Sequence, residues 1–129
     1  MTVPSTPWSG IEIEQKMCAV IALLDDAVAA YKDLGEKAAQ ARHAFKAAEA
    51  KAMLSAKADK TLSSAELRKA AVYQECGSLD LAADIAENSY AAQRQVIAAL
   101  QSQGEILRSL SRSNRDMHDQ PGWGGQRSR

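Results

Sequence analysis

Two histidines, two cysteines and a scatter of carboxylates are the residues from which catalysis or metal binding would have to be built in this chain. His43 and His118 stand apart, with no HxxxH or HExxH spacing to put two imidazoles on one helical turn. Both read as solvated side chains. Asp25 and Asp26 are neighbours, so on a helix they point to different parts of the surface and read as a solvated edge. No glycine-rich loop follows a strand, so no phosphate cradle is expected. Cys18 and Cys76 do not fall opposite each other when the helices are paired, and they read as buried free thiols. Tyr31 and Tyr90 fall on apolar seams and read as core. These residues predict no catalytic group, no metal site and no cofactor: the chain is not expected to be an enzyme.

Two other features suggest binding. Between Lys37 and Lys69 the chain carries an excess of Lys and Arg. Lys46, Lys51, Lys57, Lys60, Arg68 and Lys69 are the residues expected to meet phosphates if the protein binds nucleic acid, since such charges supply most of that affinity. The second feature is Trp123, in "PGWGG", with Arg127 and Arg129 after it. A lone Trp in a polar, aperiodic segment suits a short recognition peptide, because Trp is a common interface anchor.

The elements that position these residues follow from composition and period. The chain has 129 residues and zero net charge, with 25 alanines and few strand formers. Ala, Glu, Lys, Leu, Gln and Arg lose least on entering a helix, so an all-α fold is predicted. No apolar run is long enough to cross a membrane, and none is expected to. "MTVPSTPWSG" has no basic and then apolar stretch, so no secretory signal is expected there. With only two cysteines, a reduced cytoplasm is the predicted location.

Residues 1–9 read as a flexible lead-in, with Ser9 as an N-cap. The first helix is predicted over about 11–57, some 70 Å at about 1.5 Å per residue. From Ile13 its 3-4 seam is apolar at every step: Ile13, Met17, Val20, Leu24, Ala27, Tyr31, Leu34 and on to Ala52. A turn over about 58–63 follows, and Ser63 with Glu66 reads as the capping box of a second helix running over about 64–111. Its seam reads Cys76, Leu79, Ala83, Ala86, Tyr90, Gln93, Ile97, Leu100, Gly104 and Leu107. Gly77 is a candidate break. Residues 112–129 read as a disordered tail. A turn centred near residue 60 pairs Phe45 with Cys76, Tyr31 with Tyr90, Leu24 with Ile97 and Met17 with Gly104. It also places Lys37 and Arg42 near Asp84 and Asp80, and Arg94 near Asp25 and Asp26.

A second apolar stripe remains: Ile21 and Val28 on the first helix, and Leu81, Ile85, Val96, Ile106 and Leu110 on the second. It is expected to concentrate in the half away from the turn. A two-helix hairpin cannot bury two stripes, so these residues predict self-association into a dimer or larger helical bundle, the alternative being a tail folded back over the second stripe.

The order "AFKAAEAKAMLSAKA", polar turn, "AELRKAAV" and "AALQSQGEILRSLSRS" resembles small helical proteins of actinobacterial bacteriophages and prophages. That resemblance covers about residues 11–111 and implies an accessory role near replication or recombination. "WSG" is similar to the Trp-x-Gly of the WXG100 hairpins, but here it precedes the first helix instead of lying in the turn. Three functions follow as expectations. The first is a non-enzymatic, self-associating helical protein binding a phage or host protein. The second is a nucleic-acid-binding accessory of phage recombination or replication. The third is a secreted, WXG100-like hairpin.

Overall fold

The computed structural model describes residues 8–119. They form two helices, α1 (Gly10–Ala58) and α2 (Ala65–Asp119), joined by one short turn. The fold is an all-α antiparallel hairpin, with no strand among the described residues.

α1 starts where an acceptor meets the orphan amides of its first turn. Ser9 Oγ accepts from the Glu12 amide at 3.2 Å, and Glu12 Oε1 accepts in return from the Ser9 amide at 3.4 Å and its hydroxyl at 3.1 Å. This reciprocal pair is a capping box. α1 ends in a turn closed by Asp59, whose carboxylate accepts from the Thr61 amide at 2.9 Å and hydroxyl at 2.6 Å. Those bonds, the hydroxyl's first, hold the Asp59 carboxyl below its ordinary pKa.

α2 begins one residue later than expected. Ser64, not Ser63, is its cap: Ser64 Oγ accepts from the Leu67 amide at 3.1 Å, and Ser64 O from the Arg68 amide at 3.1 Å. Glu66 therefore falls one position short of the site from which a capping box closes. Gly77 does not interrupt α2, which also runs to Asp119 and not to 111. Residues 112–119 are thus helix, not tail. No proline stands before Pro121 to stop them, and Asn114 gives them a contact. Its Nδ2 donates to the Trp8 carbonyl at 3.4 Å.

The described residues fall into two compact units. One joins the chain up to Val28 with the chain from Val96, and the other is Ala29–Gln95. In the first, Ile13, Val20, Ala27 and Leu107 are buried. Val20, one turn beyond the predicted Met17, lies against Gly104 at 3.8 Å from where a Cβ would stand. In the second, Ala38, Ala52, Ala56, Cys76 and Ala83 are buried, and the Tyr31 and Tyr90 rings stack at 4.5 Å between centroids. All twelve predicted seam positions of α1 are buried or half-buried. On α2 the exception is Leu79, which is exposed, while the next residue, Asp80, turns inward to Arg42.

Candidate interaction surfaces

In the Ala29–Gln95 unit, Arg42 gathers three carboxylates from one face of α2. Its Nη1 donates to Asp80 at 2.9 Å, its Nη2 to Asp84 and Glu87 at 2.7 Å each, and its Nε to Glu87 at 3.0 Å. Asp80, Asp84 and Glu87 recur at 4-3 spacing, so one guanidinium on the facing helix reaches all three. The Arg42 pKa is raised, chiefly by Glu87, and the Glu87 carboxyl is held low by Arg42. The predicted neighbour of Asp84, Lys37, instead pairs with Asp33 on its own helix at 3.0 Å. Arg94 donates to the Tyr31 hydroxyl at 3.3 Å. Hydrogen bonding lowers the Tyr31 pKa, first with Tyr90 and then with Arg94, and raises that of Tyr90.

Towards the turn the same unit carries an open groove of about 420 Å³. Phe45, Met53, Val72 and Tyr73 give it an apolar lining; Lys57, Arg68 and Lys69 stand at one end, and Glu49 and Asp80 further along. Tyr73 is 74% exposed and Met53 52%. The groove follows from period: positions 45, 49, 53 and 57 make one row on α1, and 65, 69, 72, 76 and 80 make another on α2. The expectation that unburied apolar residues would concentrate away from the turn does not hold here. Sequence reasoning missed Met53 and Tyr73, although their spacing from Phe45 and Cys76 carries the signal.

The six predicted phosphate contacts all lie in this unit, but the fold draws only three of them together. Lys57, Arg68 and Lys69 share the groove, and Lys46, Lys51 and Lys60 are exposed outside its lining. Arg68 Nη1 is also committed to the Leu62 carbonyl at 3.2 Å.

The seven residues predicted for self-association are all exposed, between 42% and 61%. Ile21, Val28, Val96, Ile106 and Leu110 belong to the first unit, Leu81 and Ile85 to the second. Ile106 and Leu110 line a shallow hollow with Ser102, Glu105, Ser109 and Ser113. On α2, positions 92, 96, 99, 103, 106 and 110 continue as one 3-4 row.

Both thiols are free, and only Cys18 differs from expectation. Cys76 is buried, and its pKa is raised by desolvation and then by Glu75 and Glu49, whereas Cys18 is exposed. The stripe that carries Cys18 faces solvent in this chain, so its thiol does too. Among the described residues no cluster of His, Cys, Asp or Glu is placed to hold a metal ion. No helix among them is long and apolar enough to cross a membrane. Trp123 lies outside the described residues.

Fold and surfaces together define an all-α helical hairpin with apolar side chains left exposed along its described faces. No family model matches the chain, and no curated protein or solved structure matches it either.

Proposed function

We propose that this is a non-enzymatic, self-associating helical protein that acts by binding other proteins. One observation carries the reading. Among the described residues nine apolar side chains are buried, five of them alanine, while fifteen large ones are exposed. Fully burying one Val, Leu or Ile contributes about 1.5–3 kcal/mol. A hairpin with an alanine-lined core has no interior for them, whereas a second hairpin laid on the row through Val96, Ile106 and Leu110 would supply one. The resemblance to phage-encoded helical proteins is compatible with this role in a bacterial cytoplasm.

Light scattering on the full chain at micromolar concentration tests it. At least a dimer is expected, and Val96→Glu with Ile106→Glu should lower the mass. A well-folded monomer in the unmodified protein would end this reading.

Nucleic-acid binding is the second reading, favoured by the convergence of Lys57, Arg68 and Lys69 beside the exposed Tyr73. Affinity for a single-stranded oligonucleotide should then fall steeply with salt and vary little with sequence. Absence of retardation at low salt removes it.

A further inference from the structure

The groove near the turn has a charge pattern that is opposite at its two ends. Around the turn, residues 51–69 hold five cations, Lys51, Lys57, Lys60, Arg68 and Lys69. Only Asp59 and Glu66 oppose them, which leaves a net charge of +3. At the other end, residues 42–49 and 75–87 hold five acids: Glu49, Glu75, Asp80, Asp84 and Glu87. Arg42 and Lys46 are the cations there, which leaves −3. Residues 70–74 between them carry no charge. Three of the cations and two of the acids line the groove itself, on either side of its apolar middle.

We propose that this groove is the docking surface for the same groove of a second copy of the chain, in an antiparallel, two-fold pairing. A two-fold axis crossing near Tyr73 lays the basic end of each copy on the acidic end of the other. It also closes Met53, Val72 and Tyr73 of both copies into one apolar layer. Such a self-matching surface is what a two-fold interface requires, since one patch must complement itself. From Ala65 to Asp80 the row runs about 22 Å at about 1.5 Å per residue, a length suited to helix-on-helix packing. A phosphate backbone fits only half of this surface, because past Tyr73 it would meet Glu49 and the acids around Arg42. An unrelated partner would need no such division into a basic and an acidic end.

The pairing extends the self-association reading to a second surface, remote in sequence from Val96 and Ile106, so the two can fail separately. The experiment is light scattering on the full chain across four forms, with circular dichroism confirming retained helicity. The unmodified protein should be a dimer, or larger where both surfaces pair. Tyr73→Glu with Met53→Glu, both at exposed positions, should cut its mass at least by half. Lys57→Glu with Lys69→Glu should do the same by placing acid against acid, and added salt should weaken the unmodified assembly. If Val96→Glu with Ile106→Glu leaves the mass unchanged while the groove variants give monomer, the groove pairing stands and the other surface is not used. An unchanged mass in both groove variants overturns the proposal. So does a salt-sensitive oligonucleotide complex that Tyr73→Glu abolishes while leaving the mass as it was.

Discussion

Gly35 and Gly104 show how one missing methyl group has opposite consequences on the same helical scaffold. A Cβ at Gly35 would stand 2.9 Å from Tyr90 Cε1, and that ring is held by its stack on Tyr31. Ala gains up to about 1 kcal/mol of helix propensity over Gly, but forcing atoms into packed space costs about 1–3 kcal/mol. Gly35→Ala should therefore lower stability in urea titration, by up to about 2 kcal/mol. At Gly104 the nearest atom, Val20 Cγ1, would be 3.8 Å away, an ordinary contact. Gly104→Ala should keep the propensity gain, about 0.5–1 kcal/mol. Arg42 offers a second test at this scale. Its partner Glu87 has a depressed pKa in the folded protein, so the contribution of that ionised carboxylate is complete at neutral pH. It is lost as pH falls through the ordinary carboxylate range towards the folded value. Thermal melts between pH 7 and pH 3 should show a smaller loss of Tm in Arg42→Met than in the unmodified protein. Equal slopes would show that the cluster contributes nothing to stability.

The helix ends are where local chemistry and chain pattern have to agree. In "LSSAE" two serines compete for the cap, and either satisfies the pattern by eye. Ser63 makes a better-looking box with Glu66, but the Asp59–Thr61 turn delivers the chain one residue further along before it becomes helical. The hydroxyl that reaches an orphan amide is therefore Ser64. Ser64→Ala should cost about 1 kcal/mol and Ser63→Ala less than about 0.5 kcal/mol, read as paired urea midpoints. A larger loss at Ser63 would restore the capping box with Glu66. At the far end of α2, Ser111 and Asn114 continue the inward row after Leu107 as half-buried polar residues. An apolar template stops at Leu107, so the last eight residues of the helix were not legible from hydrophobic period. Their signal was Asn114 at the right spacing, and its meaning depended on a Trp8 carbonyl across the hairpin.

For the whole molecule, folding and assembly should be linked. Anything that binds the folded state and not the unfolded one raises apparent stability with its concentration, and in the proposed assembly a second copy is such a ligand. The Tm should therefore rise between about 1 and 100 μM protein. It should become independent of concentration when Val96, Ile106, Tyr73 and Met53 are all changed to Glu. A Tm already independent of concentration in the unmodified chain would separate folding from association.

Composition, a 3-4 apolar period and a turn centred near residue 60 were enough to predict two helices, their antiparallel pairing, the meeting of Tyr31 with Tyr90, the Arg42–Asp80 pair and the second apolar stripe through Val96 and Ile106. These are properties of repeat spacing, and alanine-rich seams leave few other ways to bring two helices together. Register to within one turn was decided by tertiary contact. Val20 replaces Met17 opposite Gly104 in one unit; in the other, Asp80 turns in where Leu79 was expected, and Arg42 takes Asp80, Asp84 and Glu87 together. The groove of Met53 and Tyr73 was decided there too. Each residue is an unremarkable member of its own helix, and only the packing of α1 against α2 sets them on the same open face between opposite charges.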